Sequence, residues 1–262
     1  GRAAAKASAI HDPDLRARWE TLMTIKALRN SPGVRFAEPN YQVQAFAVPD
    51  DEAYPFQWDF PLIGLPQAWD TTTGNPQVVV AVVDTGILAA HPDLAGQLVS
   101  GYDFVRDPSS AGDGDGIDTN PQEELATANN AAQSFHGTHV SGTIAARANN
   151  AQGVAGSAYS CRVMPLRALG EGGSGTSYDV DQAVRYAAGL ANDSGTVPAQ
   201  RADVINLSLG GPPFSQATQN LFNDVRAAGV LVVAAAGNEA SAAPSYPAAY
   251  DGVISVSAVD AQ

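Results

Sequence analysis

One cysteine, Cys161, in 262 residues leaves no partner for an internal disulfide. It does not fix the compartment, and burial as a small apolar side chain is the plain reading of it. Basic residues are few: Lys plus Arg is 14 against 27 Asp plus Glu, a net charge of −13. That balance argues against nucleic acid or an anionic membrane as partner and suits a protein that binds cations. No apolar run reaches the length of a membrane span. The start, Gly1 to Lys6, has no long apolar stretch behind it, so it does not read as a signal peptide. What is present is globular: 45% hydrophobic and 16% charged residues, enough for one large domain or one domain with an appendage.

The chain divides at about residue 48. Asp12-Pro13 reads as a cap followed by proline at the first helical position, and Leu15, Trp19, Leu22 and Met23 follow at helical spacing until Ser31-Pro32-Gly33. Val34-Arg35-Phe36 alternates like a strand, Glu38-Pro39-Asn40 turns the chain, and Tyr41 to Gln44 extends it again. One helix and two short strands make an undersized core. The acidic, proline-bearing run Val48 to Glu52 reads as a linker.

Beyond it, apolar runs alternate with helical patterns. Strands are expected at Val78–Val83, Arg162–Leu166, Val204–Leu209, Val230–Ala235 and Val253–Ser257. Helices are expected over His139–Arg147, Val180–Leu190 and Thr218–Ala228. This predicts an open α/β sheet with its chemistry at the carboxyl ends of the strands. Polar signals sit there. Asp84 directly follows a buried strand, where a carboxylate is costly unless paired, although a cap or turn role suits it equally. His136 and His139 lie three apart around Gly137, but no further ligand completes a zinc site. Asn238 follows another buried strand, where its amide could serve a developing oxyanion or simply a turn. An acidic glycine-rich loop, Asp113-Gly114-Asp115-Gly116-Ile117-Asp118, offers carboxylates to calcium, with Asp103, Asp107 and Glu123 as further candidates and Glu124 at the twelfth position. It is not an EF-hand, and a solvated acidic loop is the alternative.

Taken together and in order, Val82-Val83-Asp84-Thr85-Gly86, His136-Gly137-Thr138-His139-Val140-Ser141-Gly142-Thr143, Asn206-Leu207-Ser208-Leu209-Gly210-Gly211 and Ala235-Ala236-Gly237-Asn238-Glu239 resemble the signatures of the subtilisin-like serine proteases. The resemblance runs from about residue 54 to the end. It implies a three-layer α/β fold with a mostly parallel sheet, and a secreted endopeptidase acting on protein or peptide substrates, with a non-catalytic, subtilase-like peptide-binding module as the alternative. It implies Asp84 as the residue that orients the histidine, His136 as general base and acid, and Asn238 as oxyanion donor, leaving His139 structural. Ser208, Leu209 and Gly210 would pair with the substrate backbone, with Gly173, Ser174 and Gly175 on the opposite edge. Ala235, Ala236 and Gly237 would wall the first specificity pocket, with Ser245-Tyr246-Pro247 near its floor and Glu239 at its rim. A calcium site is implied from Asp93 and Asn150 side chains and the carbonyls of Ala148, Gln152 and Val154, completed by Asp51. The family's Gly-Thr-Ser-Met-Ala nucleophile sequence does not occur in these 262 residues. The expectation is therefore a catalytic domain over 49–262 truncated before its serine, inactive alone and completed by a C-terminal fragment. Residues 1–48, through Pro32 to Asn40, resemble the end of an inhibitory propeptide, expected as an α+β remnant whose tail, 41–47, lies in the cleft, with self-cleavage between Gln44 and Pro49.

Overall fold

The computed structural model describes residues 10–40, 48–123, 134–211 and 213–260. The chain forms two compact units, 1–45 and 46–262. In the first, helix α1 spans Pro13–Arg29. Asp12 opens it, its Oδ1 accepting from the Leu15 N–H at 3.2 Å. After the turn at Ser31 to Gly33, Arg29 Nε donates to the Ala37 carbonyl at 2.8 Å and ties the extended stretch to the helix. Val34–Phe36 is not a strand, contrary to the expected α+β remnant. Among the described residues no neighbouring strand supplies a ladder for it, and alternation alone does not make a strand. The expected extension at Tyr41–Gln44, the expected cleavage point at Gln44 and the tail 41–47 lie outside the described residues.

The second unit is a six-stranded parallel sheet: β1 Val79–Asp84, β2 Tyr102–Asp103, β3 Arg162–Arg167, β4 Val204–Leu207, β5 Leu231–Ala235 and β6 Val253–Val256. Their order is β2-β3-β1-β4-β5-β6. All six residues of β1 are buried, which is why its sequence is apolar without alternation. Val79, Ala81 and Val83 join the core under helices α3, Ser177–Ala187, and α4, Gln216–Ala227, with Val184, Leu221 and Phe222. Val82 faces the other way with Val163, toward helix α2, His136–Ala145, through Val140 and Ala145. The result is three layers, helix on sheet on helix. Each buried Val or Leu contributes about 1.5–3 kcal/mol relative to exposure. β4 ends at Leu207, two residues earlier than its apolar pattern suggests, and α2 starts at His136 rather than His139. Cys161 is buried and free. Among the described residues no helix is long and apolar enough to cross a membrane.

α3 and α4 carry ordinary caps: Thr176 Oγ1 accepts from Asp179 N–H at 3.1 Å and Ser215 Oγ from Thr218 N–H at 3.4 Å. α2 has no side-chain cap from Phe135, the residue that precedes it. That helix carries His136 at its first position, so its start is set by other means.

Candidate active site

β1 changes neighbours at the middle of the sheet: β3 lies on one side and β4 on the other, and the chain leaves β1 at the crevice between them. Asp84 ends β1 there, fully buried. Its carboxylate oxygens lie 2.8 and 2.9 Å from His136 Nδ1, and its Oδ1 accepts the Thr85 N–H at 2.7 Å. With Nδ1 protonated, the imidazole donates to Asp84 and turns its other nitrogen to the cleft. The His136 side chain is 47% exposed. Burial pushes the Asp84 carboxyl above its ordinary value, and the charge of Glu123 adds to this. The hydrogen bonds from His136 and Thr85 pull the other way. Close approach is built in at Gly137, where a Cβ would come within 2.3 Å of the Gly86 carbonyl.

A cleft beside this pair is lined by His136, Gly173, Ser174 and Gly175 on one side and by Ser208, Leu209 and Gly210 on the other, with Tyr246 and Pro247 beyond. Gly211 and Tyr246 form an antiparallel bridge that holds that end of the cleft together. Ala235 ends β5 and Ala236, Gly237 and Asn238 follow it, but none of them is among the residues that line this cleft. The Asn238 N–H donates to Glu239 Oε2 at 2.9 Å. At Gly237, φ is +105°, and a Cβ would meet Glu239 Oε2 at 2.4 Å.

Glu123 is a residue that spacing did not assign to this site. It is 4% exposed. Its Oε1 accepts the N–H groups of Ser134 at 3.1 Å and Phe135 at 2.9 Å, and its Oε2 accepts from Thr85 Oγ1 at 2.7 Å. A buried carboxylate at a helix start complements the orphan donors there. The available signal was Phe135, a poor capping residue directly before a functional helix. Glu124 lies outside the described residues.

The acidic loop is organised differently from a cation site. Asp103 and Asp113 both accept from Arg167 Nη1, at 2.6 and 2.5 Å. Arg167 Nη2 donates to the Ala111 carbonyl. Arg167 is 1% exposed and Asp103 fully buried, so the guanidinium supplies the positive charge that calcium was expected to bring. Asp107 caps a short helical turn, Pro108–Ala111, by accepting the Ser109 N–H at 3.0 Å. Asp118 Oδ1 accepts the Asn120 N–H at 2.8 Å, and Asp115 is exposed. Among the described residues no group of three or more His, Cys, Asp or Glu converges to hold a metal.

Asp51 and Asp93 meet the loop 148–154. Asp51 accepts the Asn149 and Asn150 N–H groups at 2.9 and 3.2 Å. Asp93 accepts the Asn150 amide at 3.0 Å and the Val154 N–H at 2.9 Å. Asn149, Ala151 and Gly153 all have positive φ, so every second residue of the loop is left-handed. Both carboxylates are buried, and among the described residues neither has an ion pair.

The description "Subtilase family" matches residues 75–262. The chain is 42% identical over 237 residues to "Thermophilic serine proteinase" of Bacillus sp. (strain AK1), covering 90% of this chain and 52% of that protein. It is 41% identical over 258 residues to "Extracellular protease" of Xanthomonas campestris pv. campestris, covering 93% of this chain and 44% of that one. The chain thus spans about half the length of these curated relatives. A solved structure described as "Proteases from Pseudoalteromonas arctica PAMC 21717" superposes with a TM-score of 0.75 at 40% identity, over 81% of this chain and 66% of the other. With a buried aspartate on a cleft histidine at the end of the central parallel strand, the chain belongs to the subtilase family.

Proposed function

We propose that these residues carry the acid–base pair and the substrate cleft of a secreted serine endopeptidase. The observation that supports this most is the contact between Asp84 and His136 Nδ1 at the mouth of the cleft. Asp84 holds the ring so that its outer nitrogen takes a proton from a serine hydroxyl and returns it to the leaving amine. A substrate strand lies between Gly173–Gly175 and Ser208–Gly210, pairing through backbone groups. Asn238 donates to the oxyanion, and Ala235, Ala236 and Gly237 wall the first side-chain pocket. The nucleophilic serine comes from outside these 262 residues, which by themselves turn over no peptide, and residues 1–48 serve as the end of an inhibitory propeptide. Secretion is supported by the names of relatives such as "Extracellular protease" and "Extracellular basic protease".

The test is covalent labelling. A fluorophosphonate that stops turnover in an active preparation is expected to mark one serine, mapped by mass spectrometry, outside residues 1–262. A label on Ser134, Ser174, Ser208 or any other serine of these residues would overturn the reading.

Calcium is proposed at Asp51, Asp93, Asn150 and the carbonyls of Ala148, Gln152 and Val154. The donor set is all oxygen and carries two carboxylates, which suits a hard cation. The alternately left-handed loop and Gly153, whose Cβ would lie 2.3 Å from Asp93 Oδ2, support a close wrap. There the ion would tie the segment at Asp51 to the loop 148–154. Chelation is expected to lower the melting temperature by about 5–10 °C. An unchanged melt with chelator in excess contradicts the site.

A further inference from the structure

We propose that Glu123 is a positioning residue for His136: a buried carboxylate that fixes the first turn of α2 and so holds the imidazole against Asp84. The inference rests on the reading of His136 as the proton-transfer residue. Two hydrogen-bonded connections tie the end of β1 to the first turn of α2 around His136. The first is the Asp84–His136 contact itself. The second passes through Glu123 and Thr85. Thr85 Oγ1 donates to Glu123 at 2.7 Å and accepts the Gly137 N–H at 3.0 Å, while the Thr85 N–H bonds Asp84. Glu123 meanwhile holds the N–H groups of Ser134 and Phe135. His136 is thus bracketed, with the residues before it on Glu123 and the residue after it on Thr85.

Phe135 shows what this bracket accomplishes. Its φ is +49° and ψ +28°, the left-handed region that residues with a Cβ rarely occupy. Such a conformation persists only where the surroundings over-determine it. The bond to Glu123 falls on the N–H of that very residue. Glu123 has no ion pair among the described residues, where its charge is met by N–H and O–H donors and by the helix start. Its negative charge also raises the proton affinity of Asp84, which makes that carboxylate a better acceptor for the ring N–H.

The readout is the His136 Nδ1 proton in the folded, nitrogen-15-labelled 262-residue chain, assigned by its loss in His136→Asn. It needs no turnover. The parent chain is expected to show this proton far downfield and protected from solvent exchange. Glu123→Gln and Thr85→Val should each speed its exchange by about tenfold or more. Thr85→Ser, which keeps the hydroxyl, should restore the parent rate. Folded Glu123→Gln and Thr85→Val with the parent's exchange rate would overturn the proposal. So would unfolding of both variants beside a normal Thr85→Ser, which would assign the network to stability alone. A parent chain with no protected Nδ1 proton would instead remove the Asp84–His136 pair, and this proposal with it.

Discussion

Arg167→Met is expected to cost the 46–262 unit about 3–5 kcal/mol of stability, a drop of about 10 °C in melting temperature. Arg167 is the shared cation of two carboxylates, Asp103 at 2.6 Å and Asp113 at 2.5 Å. Removing it leaves both in a buried site with no opposite charge, and an uncompensated buried ion is far costlier than a lost surface pair. The loss should depend on pH in a fixed direction. Burial pushes the Asp103 carboxyl from 3.8 up to about 7, against the pull of the Val105 N–H and of Arg167. A carboxyl raised in the folded state adds stability that is complete below the unfolded value, near 4, and is lost as pH rises through about 7. Arg167→Met should therefore melt closer to the parent at pH 5 than at pH 8. Adding Asp103→Asn should narrow the gap at pH 8. Thermal melts by circular dichroism at the two pH values decide this. Equal deficits at both would show that the Asp103 charge is not what Arg167 compensates.

The same cluster shows where sequence reading stops. The density of carboxylates between Asp103 and Asp118 was read as a place for calcium, and Asp103 and Asp113 share the Arg167 guanidinium there. The charge itself comes from the end of β3, from a residue whose neighbours Met164, Pro165 and Leu166 make it look like the close of an apolar strand. No local spacing connects the two. By contrast β1 was legible, because a strand buried on both faces of a parallel sheet must be apolar throughout, and Val78–Val83 is. β5 was legible from its equally apolar run Val230–Ala235, although Leu231 and Ala235 are exposed. β2 was not: Tyr102–Asp103 pairs with Leu166–Arg167 for only two residues, too few to leave a period. Val34–Phe36 erred in the opposite direction, having the alternation of a strand and no partner strand among the described residues. Within the site, Asp84, His136 and the segments at 173–175 and 208–210 carry recognisable motifs, although 173–175 follows a helical turn, Glu171–Gly173, and is not the edge strand expected of it. Glu123 carries none, because its task is defined by backbone N–H groups eleven and twelve residues later, and only the fold brings them to it.

His136→Ala addresses the account at its centre. In an active preparation of the protein, kcat is expected to fall by about six orders of magnitude, the size of the loss when this member of the triad is removed from subtilisin itself. KM should change little, since the cleft residues at 173–175 and 208–210, proposed to hold the substrate in ground state and transition state alike, stay in place. The change also takes from the buried Asp84 carboxylate its imidazole partner and leaves it the Thr85 N–H, so a lower melting temperature is expected and kcat is read on the folded variant. The expected result is thus a folded protein that binds its peptide substrate and does not turn it over. A folded His136→Ala protein with kcat within about tenfold of the parent would contradict the assignment of proton transfer to the Asp84–His136 pair.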